Sequence, residues 1–208
     1  MVETVGDRAD GSDGGSPGGA SDGDTAARTE GRDEADRGPP PIIVTLRMER
    51  AAAEHFGALR ERHFPPELNR VPAHMTLFHA LPGERADEVD AALREECARR
   101  EPFAVTVTEP RSIGRGVVYR CASDDLVALR AAIAERFGDD LTKQDRQGWR
   151  PHITVQNKVK SGTAKETLAL LQRDFEPWSF RAEGLVAQDY LGGPWRERLH
   201  APFRGVET

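Results

Sequence analysis

The chain has 208 residues and a formal net charge of −6. It holds no apolar run long enough to span a bilayer, and its acidic, glycine-rich start lacks the basic and apolar stretches of a secretory signal. Its two cysteines, Cys97 and Cys121, lie far apart without metal-ligand spacing, so reduced thiols in a cytoplasmic protein are expected.

Residues 1–40 are almost purely Gly, Asp, Ser, Arg, Glu, Ala and Pro, with only Val2 and Val5 as branched apolar residues and no aromatic. Such a segment cannot bury enough apolar surface to offset its ordering entropy, and a disordered tail is expected. The alternative is an interaction arm, although its charges are mixed in sign and include no basic run for nucleic acid. The roughly 165 residues from Pro41 onward suffice for one substantial domain or two small lobes sharing a core.

Pro41-Ile42-Ile43-Val44-Thr45-Leu46 reads as the first strand. Helical spacing follows over 49–63, with Ala52, Phe56, Leu59 and His63 on one side and Arg50, Glu54, Arg60 and Glu61 off it. Phe64-Pro65-Pro66 ends that helix. Ala73-His74-Met75-Thr76-Leu77-Phe78 then reads as a strand. A turn at Leu81-Pro82-Gly83 leads into a second helix over about 85–99, bearing Val89, Leu93 and Cys97. Residues 103–108 alternate as a strand, and 112–121 read as another, entered through Gly114-Arg115-Gly116. Ser123 is the expected N-cap of a third helix, with Asp124 and Asp125 in its first turn and Leu126, Leu129, Ile133 and Phe137 on its buried face.

An irregular polar loop over about 139–149 precedes the strand Arg150-Pro151-His152-Ile153-Thr154-Val155-Gln156. Ser161 or Thr163 is expected to cap a further helix with Leu168, Leu171 and Phe175. Residues 180–191 read as one or two strands, and Gly192-Gly193-Pro194 as the turn of a hairpin closed by 195–203. The order is strand, helix, His–Thr strand, helix, strand, and then much the same again. That order and the closing hairpin favour an α+β fold over a parallel sheet. The expectation is a bilobal domain over 41–205: two pseudo-symmetric halves of antiparallel sheet, about 41–110 and 111–205, with flanking helices around a central cleft. Exchange of strands between the halves is left open.

The two His-x-Thr strands carry the chemistry. Side chains alternate along a strand, so His74 and Thr76 share a face, as do His152, Thr154 and Gln156. One reading is structural: half-buried histidines bonded to backbone carbonyls, with threonines present for β-propensity. The other is catalytic. Two histidines across a cleft can work as an acid–base pair near neutral pH. Two threonine hydroxyls beside them can donate to a phosphoryl group and stabilise its transition state without a metal. Zinc is the rival, but neither strand offers a second ligand at the right spacing, and a regular strand puts His79 opposite His74.

These motifs resemble the 2H phosphoesterase superfamily, the 2′-5′ RNA ligase-like or RNA 2′,3′-cyclic phosphodiesterase family. The resemblance covers about 41–205. It is carried by His74-Met75-Thr76-Leu77 and Pro151-His152-Ile153-Thr154-Val155, and supported by Tyr190-Leu191-Gly192-Gly193-Pro194-Trp195. It implies a bilobal fold and metal-independent opening of 2′,3′-cyclic phosphates, commonly to 2′-phosphates; RNA ends or small nucleotides are the expected substrates, for a monomer with no cofactor and no membrane partner. It also implies catalytic roles for His74 and His152 and phosphate-binding roles for Thr76 and Thr154. A non-catalytic binder of phosphorylated ends and ATP-independent 2′-5′ joining are the alternatives. Arg150 is a further candidate for a phosphate, and Tyr119 and Tyr190 for stacking a base or ribose. Trp149, Trp178 and Trp195 read as core or lobe-packing residues.

Overall fold

The structure, a computed structural model, describes residues 38–193 and 195–205. The expected tail, but for its last three residues, and Pro194 of the expected turn lie outside the described residues. The chain runs β1 (Ile42–Met48), α1 (Arg50–His63), β2 (Thr76–Leu81), α2 (Ala86–Ala98), β3 (Phe103–Ser112) and β4 (Val117–Ala122). It continues through α3 (Asp124–Arg136), the single turn α4 (Lys143–Arg146), β5 (His152–Gln156), α5 (Ser161–Gln172), β6 (Trp178–Tyr190) and β7 (Trp195–Pro202).

Every strand pairing is antiparallel, and the hydrogen-bonded path runs β2-β1-β6-β3-β4-β5, with β7 added beside β6. The long β6 joins the halves. Residues 182–189 pair with β1 on one edge. On the other edge, 178–182 pair with β3 and 184–190 with β7. The changeover falls beside Gly184, where a Cβ would lie 2.4 Å from the Ala201 carbonyl oxygen and 2.8 Å from Pro202 Cα. Gly184→Ala therefore forces two backbones apart, at a cost of about 1–3 kcal/mol, readable as a lower urea midpoint. Gly57→Ala, with nothing within 4 Å of the added carbon in α1, is the control and should hold or raise the midpoint.

One core cluster joins both halves: Ile42, Val44 and Leu46 of β1, Val89 and Leu93 of α2, Leu126, Leu129 and Ile133 of α3, and Ile153 and Val155 of β5. Helix α1 turns Ala52, Phe56 and Arg60 inward, spaced by four residues on one face. Burial of Arg60, only 4 % exposed, corrects the expectation that it lies off the buried side. Ser123 caps α3 as expected, its Oγ accepting from the Leu126 amide at 3.4 Å. Neither Ser161 nor Thr163 caps α5. Lys160 holds the cap position without a side-chain bond, and Ser161 is already helical. Residues 112–121 are not one strand: Gly114-Arg115-Gly116 form the turn between β3 and β4, closed by the Ile113 amide donating to the Gly116 carbonyl at 3.0 Å. Both cysteines are free and buried, and burial pushes each thiol up to about 12. Among the described residues, no helix is long and apolar enough to cross a membrane.

Candidate active site

Strands β2 and β5 are the two ends of the hydrogen-bonded path, yet His74, Thr76, His152 and Thr154 line one cavity of about 570 Å³. The sheet must curl to bring its ends together. Each motif also breaks its own strand at the same point. Adjacent residues Thr45 and Val44 pair with Thr76 and Phe78, and adjacent residues Val118 and Val117 pair with Thr154 and Gln156. One extra residue, Leu77 or Val155, therefore bulges directly after each motif threonine. A bulge resets the alternation. Leu77 and Phe78 are both buried, as are Val155 and Gln156, and the next residues, His79 within β2 and Asn157 just past β5, line the cavity.

This overturns two expectations drawn from strict alternation. His79 shares the cavity with His74 instead of lying opposite it. Gln156 leaves the cavity and donates through Nε2 to Thr167 Oγ1 of α5 at 2.9 Å. Strand β2 also starts later than the expected 73–78, so His74 sits in the approach to it while His152 opens β5.

The two motif histidines are held alike. His74 Nδ1 lies 2.8 Å from the Pro72 carbonyl oxygen, and His152 Nδ1 lies 2.9 Å from that of Arg150. A carbonyl only accepts, so each Nδ1 carries hydrogen, and Nε2 is the ring nitrogen able to take up a further proton. The structural reading of the sequence foresaw such carbonyl contacts. They account for one ring nitrogen of each histidine.

Each half braces the edge strand of the other. Arg60, on the helix that precedes the first motif, donates through Nη1 to the Thr154 carbonyl at 3.0 Å and through Nε to Asn69 Oδ1 at 3.1 Å, over the face of Phe64. From the second half, Trp149 Nε1 donates to the Thr76 carbonyl at 2.9 Å and Arg130 Nε to the Leu77 carbonyl at 3.0 Å. Asp145 receives the amides of His79 and Ala80 at 2.9 and 3.0 Å and lies 3.2 Å from His79 Nδ1. The outward backbone groups of an edge strand thereby gain partners without a further strand. Burial by itself would push the Asp145 carboxyl up, but the bonds from His79 and the two amides outweigh it and hold the carboxyl below its usual range.

The remaining candidates separate. Tyr190 lines the cavity. Tyr119 is 4 % exposed, packs edge-on against Phe56 and beside Phe175, and belongs to the core; its burial raises its phenol above the usual range. Arg150 is exposed, is not among the lining residues, and touches the site through its carbonyl. Trp195 had read as a packing residue. It pairs with Tyr190 across the β6–β7 hairpin, lines the cavity and meets the His74 ring edge-on at 4.6 Å. Its position next to the hairpin turn was the available signal. Among the described residues, no three His, Cys, Asp or Glu side chains gather in a group that could hold a metal ion.

A family model described as the 2′-5′ RNA ligase superfamily matches residues 48–194. No curated protein matches the sequence. Solved structures share the fold at low identity. TT0787 of Thermus thermophilus aligns at 14 % identity and TM-score 0.54, covering 80 % of this chain and 100 % of its own. E. coli LigT in complex with 3′-AMP aligns at 17 % and 0.54, covering 80 % and 99 %. A structure described as a phosphoesterase aligns at 18 % and 0.54, with the same coverage as LigT.

Proposed function

Because the chain belongs to the 2′-5′ RNA ligase superfamily, we propose that its cavity opens 2′,3′-cyclic phosphates of RNA ends or nucleotides, with His74 and His152 as the acid–base pair. The observation that carries this reading is the matched holding of the two imidazoles, each with Nδ1 on the carbonyl two residues back and a threonine two residues on, in one cavity. In the neutral imidazole Nε2 takes a proton from water, and the water oxygen bonds to phosphorus. In the protonated imidazole Nε2 gives its proton to the ribose oxygen as the P–O bond to that oxygen breaks. The product is a phosphomonoester beside a free hydroxyl. Thr76 and Thr154 donate to the non-bridging oxygens, where charge grows in the transition state.

The donor set supports chemistry that needs no metal ion: imidazoles and hydroxyls, with no carboxylate among the described lining residues. Tyr190 and Trp195 offer aromatic faces for a base or ribose. A monomer working in the cytoplasm fits the two free, buried thiols.

The test is turnover of a short RNA ending in a 2′,3′-cyclic phosphate, in EDTA, with the product end identified by mass and by phosphatase sensitivity. Conversion to a single monoester is expected. The need for one neutral and one protonated imidazole predicts a rate that falls on both sides of a maximum near neutral pH. A rate rising monotonically with pH would point instead to hydroxide attack without a general acid. Binding of the RNA with no product would favour a non-catalytic capture of phosphorylated ends.

A further inference from the structure

The cavity carries more positive charge than a single cyclic phosphate requires. Arg60 and Lys143 are cationic side chains, His74, His79 and His152 can each take a proton, and none of the described lining residues is Asp or Glu, in a chain of net charge −6. The surplus is also placed unevenly. His79 and Asn157 hold equivalent places, each three residues past a motif threonine and beyond its bulge, and both line the cavity. Only His79 can be charged.

His79 is also built in. Its side chain is 29 % exposed, and its Nδ1 lies 3.2 Å from Oδ1 of Asp145, a carboxylate almost wholly buried. That carboxylate is occupied further by the His79 and Ala80 amides and the Thr142 hydroxyl. The contact fixes the imidazole and makes Nε2 its donor when protonated. Lys143, two residues before Asp145 in α4, is exposed and lines the same cavity, as does Gln144.

We infer that His79 and Lys143 form a second anion subsite, which takes a further phosphoryl group of the substrate. The chemistry is a charge-assisted hydrogen bond from an imidazolium beside the point charge of an ammonium. The group is either the 5′-phosphate of a mononucleotide or the internucleotide phosphate next to an RNA end. The inference rests on the reading of the His74–His152 centre as a phosphate site, and it narrows the substrate class to nucleotides bearing a second phosphate.

Calorimetric binding to the intact chain tests it without requiring turnover. The ligands are adenosine 2′-monophosphate, adenosine 2′,5′-bisphosphate and the dinucleotide ApA carrying a terminal 2′-phosphate. Wild type should bind at least one of the two doubly phosphorylated ligands tenfold or more tighter than the monophosphate, and which one gains identifies the source of the second phosphate. In His79→Gln and in Lys143→Glu that ratio should fall toward one. Lys143 is exposed, so its variant stays informative if His79→Gln folds poorly. Equal binding of all three ligands by wild type, or a ratio unchanged in Lys143→Glu, would overturn the second subsite alone. Failure of wild type to bind any of them would overturn the phosphate centre together with it.

Discussion

His74→Ala and His152→Ala should each lower kcat/KM on a 2′,3′-cyclic phosphate by about 10²–10⁴-fold, the range over which a positioned acid or base contributes. The two act on one transition state, so the double variant should fall little below the worse single one. Folding is not at stake in the same degree. Each imidazole is only partly buried, and its Nδ1 bond runs to a carbonyl two residues away in the same segment, so truncation leaves the Arg60, Arg130 and Trp149 braces in place. Unfolding midpoints close to wild type are the expected control. Undiminished turnover in either variant would remove that histidine from the mechanism.

A histidine and threonine two apart with apolar neighbours, occurring twice, led to four residues that line one cavity, because a strand keeps residues two apart on one face. The same rule failed one step later. Nothing in Leu77-Phe78 or Val155-Gln156 announces a bulge: both pairs are ordinary strand residues, and the extra residue follows from how each strand meets its neighbour. His79 and Gln156 were therefore assigned to the wrong faces. Arg60 shows a different limit. Helical spacing put Phe56 inward, and Arg60 lies one further step of four along the same face, but a guanidinium is read as solvent-facing unless its acceptors are known. Those acceptors, Asn69 and the Thr154 carbonyl, sit 9 and 94 residues away. Tyr119 and Tyr190 had equal standing in the sequence, and their neighbours in space separated them: Phe56 and Phe175 around one, the open hairpin end beside the other.

Asp145→Ala should be the most destabilising single change near the site, costing about 3–5 kcal/mol, the range for removing one partner from a buried charged network. The carboxylate is 2 % exposed and serves two consecutive edge-strand amides, the His79 ring and the Thr142 hydroxyl. Its loss strands two backbone donors and releases the loop that carries Lys143 and Gln144 from β2. Asp145→Asn keeps the shape but turns an amide NH2 toward groups that donate, so it should cost nearly as much. The pH dependence separates charge from shape. The folded-state carboxyl is held below its usual range, so its contribution is present in full above the unfolded value, about 3.9, and is lost as pH falls through the lower folded value. Wild type and Asp145→Asn should therefore differ most in urea midpoint near pH 7 and converge as the pH drops below about 4. A gap that stays constant from pH 7 into strong acid would mean that the carboxylate's charge contributes nothing to the strap across β2. The strap would then depend on the shape of residue 145 alone, and Asp145 would no longer account for how His79 is held against the cavity.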